Sequence, residues 1–235
     1  TELGPDVISG AAGIVNVLGD GIILEAAQGT IGGLDGDGNV THGLRVDAKG
    51  KALIARAKGD LWVQSDGDLK VDTVYSRGTA TLEAGGSVLD AHESESALNP
   101  EVNVRARHIE LLAGTGSIGT ASNALDVGIE GTEPGNGVEA EGRSVFLNAP
   151  SGERFVVRQV KGVNTVALSS EGDMSVDGLV ETAGPLTLNA GGKLDLTRNA
   201  DLHTSASDAL VRADALFMAD DGSKAARIRA DLGRV

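Results

Sequence analysis

Short stretches of alternating apolar and polar residues recur along the chain, separated by corners rich in Gly, Asp, Asn and Ser. Residues 59 to 91 are GDLWVQSDGDLKVDTVYSRGTATLEAGGSVLDA, in which apolar pairs such as Leu61 and Val63 return every eight to eleven residues. Alternation with a period of two is typical of a strand with one buried face, and the corner residues are those that tight turns favour. The pattern therefore predicts many short β-strands.

The apolar pairs also repeat at a fixed offset. Val166 and Leu168 align with Leu186 and Leu188, and the next pair, Met174 and Val176, aligns with Leu194 and Leu196; both offsets are 20 residues. A strand of three or four residues cannot bury its apolar side alone, whereas coils stacked about 4.8 Å apart share one core. We expect an all-β, right-handed parallel β-helix (β-solenoid) with about 20 residues and three short strands per coil. At that coil length the chain would form roughly 12 coils and a rod of about 55 Å.

A longer repeat is superimposed on the short one. IILEAAQGTIG (22–32) returns as IELLAGTGSIG (109–119), and GKALIARAKGDLWV (50–63) returns as GRSVFLNAPSGERFVV (142–157). We expect residues 1–235 to be a single solenoid segment with two supermodule copies at about 20–91 and 102–196. Because the chain starts without Met, we also expect it to be excised from a longer repetitive chain.

One segment has an alternative interpretation. SDALVRADALFMADD (207–221) has apolar residues spaced by three and four, and Ser207 or Asp208 could cap an amphipathic helix. A strand there would continue the 20-residue register, and we favour the strand.

Composition narrows the classes of partner. The chain has 20 Lys+Arg against 34 Asp+Glu, a net charge of -14, which disfavours binding to nucleic acid. Aromatic residues make up 2%, too few for a base-stacking or sugar-binding platform. With no Cys there is no disulfide framework, and no apolar run approaches the ~20 residues of a membrane helix, so we expect no membrane insertion.

The stretches NVRARHIELLAGTGSIGTASNALDV (103–127) and GDLWVQSDGDLKVDTVYSRGTATLEAGGSVLDA (59–91) resemble the repeat modules of giant bacterial surface proteins related to filamentous haemagglutinin. The resemblance covers most of residues 20 to 196. It implies a secreted or surface-displayed right-handed β-helix that serves as an adhesin shaft, a matrix component or an extracellular filament. It implies no catalytic residues. We expect no bound cofactor, with Ca²⁺ as the alternative, and we expect the partners to be copies of the chain itself or a ligand on the surface of a host or neighbouring cell.

One corner has the beginning of a calcium loop. Asp35, Asp37 and Asn39 alternate in LDGDGNVTHG (34–43), and oxygen ligands at such spacing can converge on one Ca²⁺. Val40 and Val46 stand where an EF-hand loop needs Gly and a bidentate Glu, so we favour a solvated corner, with a Ca²⁺ site as the alternative.

Paired carboxylates could support an enzyme instead. Six aspartates near strand starts are candidates for polysaccharide cleavage on a parallel β-helix: Asp60, Asp66, Asp68, Asp72, Asp173 and Asp195. Because these aspartates recur with the strand starts, we favour a role in turns.

The four histidines, His42, His92, His108 and His203, lie far apart in sequence and lack metal-ligand spacing.

Loops that project from a rigid scaffold are where binding usually occurs. Three corner insertions supply our candidates for partner contact: AHESESALNPE (91–101), with Glu93, Glu95 and Glu101, TEPGNG (132–137), with Glu133 and Asn136, and LDGDGN (34–39).

Overall fold

The computed structural model describes residues 7–8, 14–34, 40–92, 102–220, 222 and 224–235. In this part of the chain the regular structure is entirely β. The strands are β1 (Val7–Ile8), β2 (Val17–Leu18), β3 (Ile22–Ala26), β4 (Thr30–Ile31), β5 (Gly33–Leu34), β6 (Val40–His42), β7 (Leu44–Asp47), β8 (Ala52–Ala57), β9 (Leu61–Ser65), β10 (Leu69–Ser76), β11 (Thr79–Ala84), β12 (Val88–Asp90), β13 (Val104–Ala106), β14 (His108–Ala113), β15 (Leu125–Ile129), β16 (Gly137–Ala149), β17 (Phe155–Ser170), β18 (Met174–Thr182), β19 (Leu186–Ala190), β20 (Lys193–Leu196), β21 (Asp201–Thr204), β22 (Ala209–Arg212), β23 (Ala215–Met218) and β24 (Arg227–Ala230).

These strands wind into a right-handed parallel β-solenoid, as the sequence predicts. Among the described strands, every named pairing is parallel except that of β5 with β6, which form a small antiparallel hairpin within one coil. Three rows of stacked strands run through the whole structure, from β1 to β23, from β2 to β24 and from β3 to β22. Each coil therefore adds a layer to the same three rows.

The first row shows how the core is built. Eight of its inward side chains stack in sequence and all are buried: Ile31, Leu61, Ala80, Ile109, Val138, Val157, Val176 and Leu196. Stacked aliphatic side chains of this kind supply the hydrophobic stabilisation of the rod.

Coil length varies along the rod. The coil from Leu61 to its stacking partner Ala80 contains few residues. The coil from Ile31 to its stacking partner Leu61 contains more than one and a half times as many. The extra length arises because the β5–β6 hairpin is inserted in that coil. The estimate of roughly 12 coils is therefore wrong, and the solenoid has about 8 turns.

The 20-residue register is confirmed in the second half of the chain. Val166 pairs with Leu186, and Met174 pairs with Leu194, as the sequence alignment predicts. The segment from 207 to 221 contains β22 and β23, so its interpretation as a helix is wrong. Tertiary stacking of Ala209 on Leu186 and of Leu216 on Leu194 overrides the helical spacing.

Hydroxyl side chains turn inward at several corners. Ser76 and Thr204 are fully buried, and each donates to a carbonyl of the preceding coil: the Ser76 Oγ lies 2.8 Å from the Gly59 oxygen and the Thr204 Oγ1 lies 2.7 Å from the Gly184 oxygen. These bonds satisfy buried polar groups where the chain bends out of the ladder.

Candidate functional site

Aspartates at strand starts hold successive coils together. The Oδ1 atom of Asp60 accepts a hydrogen bond from the Thr79 backbone N–H in the next coil at 2.8 Å, and Asp68 accepts from Ser87 at 2.8 Å. The same contact joins Asp173 to Lys193 at 2.7 Å and Asp208 to Arg234 at 2.8 Å. We call these four contacts the inter-coil staples. Each staple gives a corner N–H a charged acceptor, the stronger class of hydrogen bond.

A glycine immediately precedes each stapled N–H. A Cβ at Gly78 would lie 2.0 Å from the Asp60 Oδ1, and a Cβ at Gly86 would lie 2.2 Å from the Asp68 Oδ1. At Gly192 the corresponding distance to the Asp173 Oδ1 is 2.4 Å. At these three staples the carboxylate occupies the space that a side chain would need, so Gly-Asp in one coil goes with Gly in the next. In the fourth staple Asp208 follows Ser207, and a Cβ at Gly233 would meet the Ser207 carbonyl instead.

The staples account for three of the six aspartates that could serve an enzyme, Asp60, Asp68 and Asp173. The other three contact side chains: Asp66 forms an ion pair with Arg45, Asp195 lies 3.0 Å from the Lys193 Nζ, and Asp72 accepts from Thr73 at 2.8 Å. The structure thus distributes these carboxylates along the rod, each with its own partner.

A buried polar cluster lies where β12 ends. The Asp90 side chain is 0% exposed, and its Oδ1 accepts from the His92 backbone N–H at 2.8 Å and from the Asn103 Nδ2 at 2.6 Å. Asn103 also donates to the Val71 oxygen at 3.0 Å and accepts from the Asp126 N–H at 2.8 Å. The His92 Nε2 lies 3.4 Å from the Asp72 Oδ1. This cluster satisfies backbone groups just after the end of β12.

Two of the predicted sites lie outside the described residues: Asp35, Asp37 and Asn39 of the calcium candidate, and Glu93, Glu95 and Glu101 of the acidic excursion. In the described part of the chain, His, Cys, Asp and Glu side chains form no group of three or more that could hold a metal ion.

The corner at 132–137 is described. Glu133 is exposed and its carbonyl accepts from the Asn136 N–H at 3.1 Å, while the Asn136 Nδ2 donates to the Glu130 carbonyl at 2.9 Å. Asn136 therefore closes the corner by bonding its own backbone neighbours, and Glu133 is the side chain that this corner offers to a partner.

The histidines stay apart in space as well as in sequence. His108 lies 3.4 Å from a Glu110 oxygen, and the His203 Nε2 lies 2.9 Å from the Asp231 Oδ2. Each of these imidazoles faces carboxylates of its own coil or the next one.

Asp177 is the centre of a polar column over three coils. Its Oδ2 accepts from the Arg158 Nη1 at 2.6 Å, and its Oδ1 accepts from the Thr197 hydroxyl at 2.5 Å and the Asn199 Nδ2 at 2.8 Å. Burial by itself would raise the pKa of Asp177, but these hydrogen bonds and the charges of Arg158 and Arg198 outweigh it and lower the pKa below its ordinary value of 3.8.

This lowered pKa makes the stability pH-dependent. A carboxyl whose pKa is lower in the folded state contributes stability above its unfolded pKa and loses it as the pH falls through the folded pKa. We expect Asp177→Asn to lower the melting temperature at pH 7 by about 2–4 °C, equivalent to about 1 kcal/mol. The difference from wild type should shrink below about pH 4. Asp214→Asn, at an exposed corner, is the control and should match wild type in circular-dichroism melts at both pH values. A pH-independent effect of Asp177→Asn would contradict the assignment.

Comparison of this chain with family models, with curated proteins and with solved structures finds no match. Among the described residues, no helix of the length and apolarity needed to cross a bilayer is present. The function of this chain is therefore inferred from its own sequence and geometry.

Proposed function

We propose that this chain is a noncatalytic shaft or filament segment of a large secreted or cell-surface bacterial repeat protein, serving adhesion or the formation of an extracellular matrix. The observation that carries the proposal is that three rows of strands run from one end of the described chain to the other. A rod built in this way holds its two ends a fixed distance apart.

The coil formed by β22, β23 and β24 supports the proposal. Its inward side chains Leu216 and Met218 stack on Leu194 and Leu196 on one side, yet they remain 48% and 47% exposed on the other. Among the described strands, β23 and β24 are each paired along one edge only, whereas the start of β22 is covered by a bond from the Ala209 N–H to the Arg234 carbonyl at 2.7 Å. An open strand edge above exposed aliphatic side chains is a template for a further β-coil.

The alternative is a polysaccharide-degrading enzyme that uses aspartate carboxylates. The inter-coil staples favour the shaft over this alternative, because Asp60, Asp68 and Asp173 are committed to backbone N–H groups of the following coil. The repeated Gly-Asp phrase is thereby explained by stacking.

Light scattering over a range of protein concentrations tests the proposal. We expect the weight-average mass to rise with concentration as rods associate through their open ends. Leu216→Lys should suppress the rise, whereas Leu210→Lys, which changes an outward side chain of the same coil, should not. A strict monomer that also degrades an acidic polysaccharide, with turnover lost on Asp66→Asn or Asp195→Asn, would favour the enzyme.

A further inference from the structure

Basic side chains are concentrated on one side of three neighbouring coils. Arg56, Tyr75 and Arg105 are stacked on successive strands, since Tyr75 pairs with Arg56 on one side and with Arg105 on the other. Lys58, Arg77 and Arg107 each follow the last residue of the same three strands, β8, β10 and β13. We call this set of six residues the arginine patch. It stands out because acidic residues outnumber basic ones by 34 to 20 in the whole chain.

A groove of about 320 Å³ opens beside the patch. Its lining includes Ala26, Ala57 and Tyr75, the basic side chains Arg56, Lys58 and Arg77, and one carboxylate, Glu25. The two arginines are exposed, and so are Lys58 and Arg107. The Tyr75 hydroxyl donates to the Glu130 Oε2 at 3.3 Å, a contact that fixes the ring between the charged side chains.

Several guanidinium groups elsewhere in the described part of the chain meet carboxylates of a neighbouring coil, although those of Arg143 and Arg212 do not. Arg158 pairs with Asp177, and Arg229 makes two bonds to Asp201, at 3.1 Å from Nε and at 2.7 Å from Nη2. In the patch, Arg105 is paired with Glu153. Within the described residues, by contrast, the guanidinium groups of Arg56, Arg77 and Arg107 have no carboxylate or carbonyl acceptor.

We propose that the arginine patch binds a short acidic segment of another polypeptide, which supplies the carboxylates that Arg56, Arg77 and Arg107 lack. The planar guanidinium group matches the two oxygens of a carboxylate. In an extended peptide, alternate side chains lie about 6.6–6.8 Å apart on one face, and neighbouring coils lie about 4.8 Å apart. The two spacings differ by about 2 Å, which the long arginine side chains can span, so two carboxylates of such a peptide can meet arginines on adjacent coils with the peptide backbone over the groove.

The surroundings of the patch favour a short acidic peptide over a longer and denser polyanion. Two carboxylates lie among the patch residues: Glu25 lines the groove beside Arg56, and Glu130 accepts from the Tyr75 hydroxyl. A nucleic acid has a phosphate about every 3.4 Å along each strand, so it would place phosphates against these carboxylates as well as against the arginines. The net charge of -14 on the chain also repels any anionic ligand at long range. A peptide with two or three carboxylates is repelled less than a longer polyanion, because it carries fewer negative charges.

The test uses fluorescence anisotropy with a labelled heptapeptide of alternating Glu and Ser, at low salt. We expect saturable binding to the 235-residue chain that weakens as salt is added, and no binding of the matched peptide of alternating Gln and Ser. Replacing two arginines of the patch, Arg56→Gln with Arg77→Gln, should weaken binding about tenfold.

The control changes the net charge of the chain by the same amount elsewhere. Arg143→Gln with Arg212→Gln alters two exposed arginines outside the patch, and binding should stay within about twofold of wild type. Equal weakening by both double variants would overturn the proposal, because it would show attraction to overall charge alone. Failure of the peptide to bind, or patch-dependent binding of an oligothymidylate or a sulfated glycan in preference to the peptide, would also overturn it. Because the patch lies on the side of the rod, these outcomes are independent of association through the rod ends.

Discussion

Leu69→Asp should collapse the middle of the rod. Leu69 is 1% exposed and stacks on Val88 of the next coil, so the substitution places a carboxylate in the aliphatic interior. An unpaired buried charge and a lost aliphatic side chain together cost more than about 4 kcal/mol. We expect the melting temperature to fall by more than about 10 °C, or the chain to be recovered unfolded, as measured by circular dichroism.

The control for this change is the next residue in the same strand. Lys70 is exposed, and Lys70→Asp should alter the melting temperature by no more than a few degrees. If Leu69→Asp does not fold at all, Leu69→Ala supplies a second measurement, with an expected loss of about 2–5 kcal/mol. Equal, small effects of Leu69→Asp and Lys70→Asp would contradict the inward position of Leu69.

Gly184→Ala should have the largest effect of any glycine-to-alanine change at a corner. A Cβ on Gly184 would lie 1.6 Å from the Asn164 carbonyl oxygen in the preceding coil, and the neighbouring atom is backbone that cannot rotate away. The two coils would have to separate, at a cost of about 3 kcal/mol or more. The expected result is a fall in melting temperature of about 6–12 °C.

Gly172 provides the matched control. It also lies at a corner between strands, but a Cβ there would have no atom within 4 Å. Gly172→Ala should leave the melting temperature unchanged or raise it slightly, because Ala restricts the unfolded chain. A strong loss of stability with Gly172→Ala, or none with Gly184→Ala, would contradict the stacking of the coils at these corners.

Local pattern was sufficient to predict which residues point inward. The alternation around Leu69 and the 20-residue offset between Val166 and Leu186 are both confirmed. Period-two alternation reports the buried face of a strand directly, and an offset that persists over successive strands reports the register between coils.

The contacts between coils could not be predicted in the same way, because they depend on how many residues each corner contains. The coil from Ile31 to Leu61 holds an inserted hairpin, and no local signal distinguishes Gly184 from Gly172. The arginine patch was missed for the same reason. Its stacked members on β8, β10 and β13 are far apart and unequally spaced along the chain, so only the stacking of the coils brings them together.

Stacking in a fixed register is the central claim, because both the shaft and the arginine patch depend on it. The natural chain contains no cysteine, so a pair introduced by substitution reports on one contact without interference. Ala167 pairs with Thr187 in the parallel ladder, which places their Cα atoms about 4.8 Å apart. That separation is within the range a disulfide spans, whereas Cα atoms more than about 7 Å apart cannot be bridged.

The measurement is the rate of disulfide formation in Ala167→Cys with Thr187→Cys, compared with Ala167→Cys with Asn189→Cys. The residues of the first pair stand opposite each other in the ladder, and the second pair is displaced by two residues along the same strand. We predict rapid oxidation of the first pair with a rise in melting temperature, and little oxidation of the second. Equal rates for the two pairs, or faster oxidation of the displaced pair, would contradict the stacked register.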